Sequence, residues 1–337
     1  MPEFTGATDK SKLIEPVVFA DYIIEKSTAT NRLLTSGILT NDPLIQAQLL
    51  QGGTFITIPA MMPLGADVQT WNDTKDISVN SLSTESSNAI KMYQAQAFGY
   101  TDFGALTTGS PVAEAIAGQF SNYWNIQDNK LIIAVLANAF KNADLLTAKS
   151  YGAATPAELK AGDFLAAISR MGDIASPTLV KLIVNSATLG AMREQNLIDD
   201  IQPSTGGAPI STYNNMQIIT DDAIPLAADG TTDAYITANG AIAYGLASPA
   251  NAVETKRDAL GNGGQNAVIN RRVLSMQVKG TGFTDTTKAA NVGISTYNDS
   301  STSLFSIVGD PRNIGVVDYR FKIDPKFVVG GINSPKA

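Results

Sequence analysis

The stretch SPVAEAIAGQFSNYWNIQDNKLIIAVLANAFKNADLLTA, residues 110–148, decides how the rest of the chain is read. Ser110-Pro111 is a helix start, because a serine oxygen caps free N–H groups and proline suits the first helical position. The next proline is Pro156. Val112, Ile116, Phe120, Tyr123, Trp124, Leu131, Val135 and Asn138 recur mostly at steps of three or four, along one helical stripe. Ile132, Ile133, Leu136 and Phe140 widen that stripe toward its C-terminal end. About 35 helical residues rise roughly 50 Å, more than a small domain needs. Two readings stand here: one spine helix, or two helices broken near Gly118.

Composition limits the possible chemistry. The chain has 337 residues, 44% of them hydrophobic and 16% charged, as in a globular protein of one large or two medium domains. Its most apolar run, Leu131 to Leu136, is too short to cross a bilayer. The opening Met-Pro-Glu-Phe-Thr-Gly carries no signal-peptide core, so synthesis is expected to leave the chain in the cytoplasm of the cell that makes it. Cysteine and histidine are both absent, which removes thiol nucleophiles, disulfides, imidazole bases and thiolate or imidazole metal sites. No enzyme activity, cofactor or metal is expected. With 24 Lys and Arg against 31 Asp and Glu, the net charge of −7 disfavours nonspecific attraction to nucleic acid.

Taken in order, residues 1 to about 15 read as a polar arm, followed by a helix from Pro16 to Leu34 that ends at Ser36-Gly37. Gly52-Gly53 opens a strand, Thr54 to Ile58, closed by Pro59, and Lys91 to Tyr100 reads as a second strand. Between them lie residues that are mostly Ser, Thr, Asn, Asp and Gly, with Trp71 and Asp76 to Val79 as the ordered parts. Such a two-stranded arm is marginal by itself. It is either a mobile hairpin or an arm lying on another subunit. The second reading gives shelter to Phe55, Ile56, Ile58, Met61, Met62, Leu64 and Trp71.

Beyond the long helix, Thr155-Pro156-Ala157-Glu158 reads as a capping box that starts a helix. A buried strand, Leu179 to Val184, and a helix from Ser186 to Asn196 follow. Asn214-Asn215 turns a hairpin between Pro209–Tyr213 and Met216–Thr220. Ala252–Arg257 and Val268–Val278 alternate on either side of a glycine-rich tip, and Gly315–Val329 returns as a strand. The class is α+β. Gly261-Asn262-Gly263-Gly264 lacks the Lys-Ser/Thr of a phosphate cradle and reads as a loop tip. Asp229 to Asp233 lacks the ligand spacing of a calcium loop, and Asp199-Asp200 and Asp221-Asp222 read as solvated carboxylates. Arg271 and Arg272 must face opposite sides of their strand, and one of them is expected to form an ion pair.

An ordered set of blocks resembles the major capsid (coat) proteins of tailed bacteriophages. EPVVFADYIIEKSTATNRLLTSGILTNDP (15–43) resembles their proline-led opening helix, SGI exit and Asp-Pro step. GGTFITIP (52–59) resembles the strand before their extended loop, and SPVAEAIAGQFSNYWNIQDNKLIIAVL (110–136) their spine helix. VNSATLGAMREQNLID (184–199), Asp221-Asp222 and VETKRDALGNGGQNAVINRRVLSMQVKGTGF (253–283) resemble their later blocks.

The resemblance implies the Hong Kong 97-type (HK97-like) fold. The expected parts are an N-terminal arm with the first helix at 1–51, an E-loop at 52–101, a P domain with the spine helix at 102–154 plus 315–337, and an A domain at 155–314. It implies a shell subunit forming the hexamers and pentamers of an icosahedral head around packaged double-stranded DNA, assembled in the bacterial cytoplasm and residing in the virion. A separate scaffolding protein, a portal and decoration proteins are the implied partners. Phe55, Ile58, Met61, Met62, Trp71 and Lys75 are expected at contacts between subunits, Lys75 being the one candidate for a Lys–Asn cross-link. Gly261, Asn262, Gly263 and Gly264 are expected to point at a capsomer axis. An encapsulin-like nanocompartment shell of the same fold is the alternative.

Overall fold

The computed structural model describes residues 32–61, 68–71, 73–74, 76–81, 84–109, 112–160, 162–172, 180–201, 210–214, 216–288 and 292–328. Most of the expected first helix, together with Met62 and Lys75, lies outside them. The chain opens with α1 (Arg32–Thr35), β1 (Leu39–Asn41), α2 (Pro43–Gln48), β2 (Phe55–Met61), β3 (Thr84–Ile90), β4 (Met92–Thr101) and α3 (Asp102–Thr108). Then come α4 (Val112–Ala139), α5 (Ala143–Lys149), β5 (Ser150–Tyr151), α6 (Asp163–Ser169), β6 (Val180–Val184) and α7 (Ser186–Glu194). Strands β7 (Asp199–Ile201), β8 (Ile210–Tyr213), β9 (Met216–Thr220), β10 (Thr231–Ala238), β11 (Ile242–Ala247), β12 (Val253–Asp258), β13 (Gln265–Val278) and β14 (Thr281–Phe283) follow. The described chain closes with α8 (Ile294–Asp299), β15 (Phe305–Ile307) and β16 (Val316–Lys322).

Helix α4 runs unbroken through Gly118 for 28 residues, ~42 Å at the usual rise. Its ending differs from the expected one. The chain turns by 95° after Ala139 and continues as α5. Asn142 makes this corner, since its side-chain oxygen accepts the N–H groups of Asp144 and Leu145 and starts a new helix in a new direction. Residues Leu131 to Leu136 are all buried, so this half of the helix is apolar on every side and runs through the core.

Two sheets flank the helix. In the first, β13 pairs antiparallel with β4 along Leu274↔Met92 to Gln265↔Thr101, and on its other edge with β11 and then β12. Strand β1 completes it, parallel to β11. Phe98 of β4 meets Phe120 and Tyr123 of α4, at centroid distances of 5.1 and 5.5 Å. The second sheet is seven-stranded, in the order β5-β16-β10-β6-β9-β8-β7. Its central strands β10 and β6 are buried over most of their length, and β6 is correspondingly rich in Val, Leu and Ile. A smaller core joins Ile45 of α2 and Leu49 just past it to Ile56, Ala89, Ala243, Ala247 and Val273. A Cβ at Gly245 would lie 2.7 Å from the Ile45 Cγ2, so glycine there lets α2 sit directly on β11.

Two expectations change. Strand β2 continues through Pro59 to Met61 and pairs with Thr84–Ile90, not with Lys91–Tyr100. Proline is tolerated because a two-stranded ribbon has free edges, and β3 escaped notice because TESSNAI is polar. Thr155–Glu158 is not a helix start. Ala157 and Leu159 hydrogen-bond the backbone of Lys322, so the segment extends the sheet edge, and α6 begins only after Gly162. The two sheets do not follow sequence order. Residues 242–278, expected with the A domain, lie in the sheet under α4, and β16, expected with the spine helix, belongs to the seven-stranded sheet. Sequence order concealed both, because the connections cross from one sheet to the other.

Candidate functional site

The β2–β3 hairpin stands on a foundation within its own subunit. Ile56 is fully buried, Ile58 packs on the smaller core, and the Phe55 ring lies 6.2 Å from that of Phe283. The Ser87 hydroxyl donates to the Thr281 carbonyl at 2.7 Å, and the Gly309 N–H donates to Glu85 at 3.1 Å. Lys91, just past the hairpin, is buried and donates from its ammonium to the Gln51 carbonyl at 2.8 Å. Burial holds its pKa below the usual lysine range. Phe55 and Ile58 thus contribute to the hairpin's own base and remain half-buried there. The side chain of Met61 lies outside the described residues.

Farther out the hairpin changes character. Gln69 and Ser78 exchange two hydrogen bonds of 2.8 and 2.7 Å, side-chain amide to backbone, and so tie the two arms together. Around this tie Val68, Trp71, Ile77 and Val79 are exposed by 98%, 88%, 64% and 97%. These large apolar side chains stand in water around one tie.

The second projection is at the far end of the first sheet, where α3 and the β12–β13 turn are joined. Asp102 holds them together. Its carboxylate accepts from Arg257 at 2.8 Å and from the Asn266 amide, and its N–H donates to the Gly264 carbonyl at 2.8 Å. Gly264 has φ +92°, and a Cβ there would lie 2.5 Å from the Asp102 carboxylate, so a side chain would be strained and would displace that carboxylate. Asp258 accepts the N–H groups of Leu260 and Gly261 and shapes the short 3₁₀ turn Gly261–Gly263. Phe103, Leu106 and Leu260 stand exposed around this tip. Gly261, Asn262, Gly263 and Gly264 therefore cap the sheet that underlies α4 and not the seven-stranded sheet. Sequence reading missed Phe103 and Leu106, whose only signal is apolar residues in a short helix directly before Gly109.

Between the projections, α4 is pinned to β13. Arg272 donates through both guanidinium ends to the Asp128 carboxylate and from Nε to Gln94 at 2.9 Å, with its Cζ 4.0 Å above the Trp124 ring. Burial raises the pKa of Asp128, and the Arg272 hydrogen bond and charge oppose that rise. Arg271 faces the other way and pairs with Glu254 at 2.6 Å. The expected opposition of the two arginines is therefore present, and Asp128 is the partner that spacing did not identify.

The carboxylate pairs serve local turns. Asp221 and Asp222 accept the N–H groups of Ala223 and Ser186, and Asp200 accepts the Ser211 hydroxyl. Asp229 accepts from Thr231 and lies 3.3 Å from Lys322. Among the described residues no group of three or more carboxylates is placed to hold a metal ion.

No protein-family model matches the chain. The major capsid protein of Bacillus phage SPP1 is 28% identical over 323 residues, which span 94% of this chain and 98% of that one. Among solved structures, the Cyanophage Pam1 capsid asymmetric unit matches with a TM-score of 0.59 at 13% identity, covering 96% of this chain and 99% of that one. The capsid of Ralstonia phage GP4 matches with a TM-score of 0.58 at 9% identity, covering 85% and 87%. The first two of these likenesses run nearly end to end. In sequence the chain is similar to a phage major capsid protein, and its fold is the Hong Kong 97-type fold of the solved phage capsids.

Proposed function

We propose that this protein is the shell subunit of a tailed-phage head, tiling as hexamers and pentamers into an icosahedral capsid around packaged double-stranded DNA. The near full-length likeness to the SPP1 major capsid protein carries the reading. The two apolar projections fit it, since a side chain such as Val79 or Leu260 gains roughly 1.5–3 kcal/mol when fully buried. Many such contacts, each weak, become strong in a closed shell. The role is mechanical and calls for no catalytic group. The net charge of −7 suits a wall that confines DNA without gripping it.

In this reading the sheet of β4, β11, β12 and β13 with α4 is the P domain, and the seven-stranded sheet is the A domain. The hairpin 55–90 is the E-loop, with Trp71 at the contact with a neighbouring copy. The tip made by α3 and residues 258–264 meets further copies. A scaffolding protein and a portal are the expected partners during assembly in the bacterial cytoplasm. The nanocompartment alternative has the weaker support, since the near full-length sequence relative is a phage protein.

Expression in bacteria, alone and with the scaffolding gene of the same phage, followed by negative-stain electron microscopy, tests the reading. Closed icosahedral shells are expected. A monodisperse monomer at high concentration under both conditions would overturn it.

A further inference from the structure

The corner between α4 and α5 is gripped by a part of the chain that the sequence blocks left unassigned. Asn138, fully buried, donates to the Tyr297 carbonyl at 2.9 Å and accepts the Leu304 N–H at 2.8 Å. One turn on, Lys141 donates to the carbonyls of Tyr297, Asn298 and Ser300, at 3.3, 3.2 and 2.6 Å. Asn142 adds a bond to the Phe305 carbonyl at 3.0 Å. The three side chains come together where the chain leaves the spine helix and bends, so the corner holds a single stretch of backbone across it. Lys141 also satisfies the last carbonyls of α8, where a cation is favoured.

The same segment continues to the hairpin. Tyr297 stacks on Phe305, with centroids 5.8 Å apart and planes at 6°. Phe305 meets Phe283 edge-on at 5.9 Å, and Phe283 meets Phe55 of the hairpin at 6.2 Å. β15 pairs with β14, whose Thr281 carbonyl takes the Ser87 hydroxyl. One unbroken series of packed rings and hydrogen bonds thus runs from the hairpin base to the helix corner.

We propose that residues 281–283 and 294–307 form a mechanical coupler, which makes the orientation of the β2–β3 hairpin and the geometry of the α4–α5 corner depend on each other. A rotation of the hairpin base must either carry Phe283 and Phe305 with it or break their packing. Densely packed contacts transmit such displacement instead of absorbing it. A shift of Phe305 acts directly on the bonds to Asn142 and Asn138. The coupling belongs to the single subunit and goes beyond the shell reading, and it would hold if the chain formed no shells.

Amide hydrogen exchange on the full-length chain tests it in both directions, because coupling between two sites is reciprocal. In the Lys141→Met variant, exchange is expected to quicken at 297–305 and also at 84–90, by about fivefold or more, with β6 and β9 unchanged. In the Ser87→Ala variant, altered only at the hairpin end, exchange is expected to quicken at the amides of Leu304 and Phe305. Faster exchange confined to 297–305 in the first variant would overturn the proposal. So would unchanged amides at 304 and 305 in the second, which also decides the matter should Lys141→Met fail to fold.

Discussion

Arg272 and Asp128 form a two-pronged ion pair inside the protein, each about nineteen-twentieths hidden from water, where the spine helix crosses the long strand β13. Removing two charges from water costs several kcal/mol each, so the pair is not chiefly a source of stability. It fixes one residue of α4 to one residue of β13 and so sets the register of helix on sheet. Breaking it leaves one charge buried alone. Arg272→Met is expected to lower unfolding free energy by about 3–5 kcal/mol, and Arg272→Met with Asp128→Leu to recover most of that loss. Urea unfolding of the single and double variants measures the difference. A double variant no better than the single would show that shape, and not charge, decides the site.

A second buried carboxylate predicts a pH dependence. Asp318 is buried in β16, accepts the Ser150 hydroxyl on one oxygen at 3.0 Å, and has no partner on the other among the described residues. Burial raises its pKa to about 7, and the Asp233 carboxylate adds to the rise, while Arg320 and Ser150 oppose it. A raised folded-state pKa favours the protonated form. Its contribution to stability is full below about pH 4 and is lost as pH rises through about 7. Asp318→Asn is expected to match the wild type near pH 4 and to be more stable at pH 8, by roughly 1–4 kcal/mol. Denaturant midpoints across that range give the answer. Parallel curves for the two proteins would mean that Asp318 stays charged throughout.

The sheet tip yields a prediction that separates folding from association. Leu260, Phe103 and Leu106 are exposed and support no core. Leu260→Asp is expected to change subunit stability by no more than about 0.5 kcal/mol. Placed in an interface between copies, the same carboxylate would be desolvated without a partner, and shells should fail to form. Unfolding curves and particle counts by electron microscopy, taken together, decide it. Normal shells from Leu260→Asp would remove this tip from the contacts.

Periodicity showed the spine helix because its apolar residues recur over a long span, and the ordered blocks around it showed the fold. It could not show where the helix ends, because Phe140 and Lys141 continue the helical pattern and the corner depends on Asn142 capping the next helix. Strand β3 was hidden for a related reason. A ribbon that projects into water carries Ser, Glu and Asn where a core strand would carry Val and Ile. The site was legible as a polar stretch holding an isolated tryptophan. The division of its residues was not, since Phe55 and Ile58 look as sticky as Trp71 until Phe283 and the α2 core are seen against them. Asp128 gave no sign of its role because its partner is far along the chain and only the fold joins them.

That division of the hairpin makes the last prediction sharp. The base is bonded and packed within the subunit, and the outer part bears the exposed Val68, Trp71, Ile77 and Val79. Replacing residues 62–83 with a two-residue Asn-Gly turn keeps β2, β3 and every base contact, because such turns suit the twist of a short hairpin. The shortened subunit is expected to fold with unchanged thermal midpoint and to lose the ability to form stable shells. Trp71→Ala alone should weaken assembly without abolishing it, since one aromatic anchor is worth about 2–4 kcal/mol at an interface. Light scattering against protein concentration measures the critical concentration for assembly, which should rise for Trp71→Ala and lie beyond reach for the deletion. Stable shells at the wild-type threshold from the deletion would show that the hairpin's outer part is not what joins the subunits.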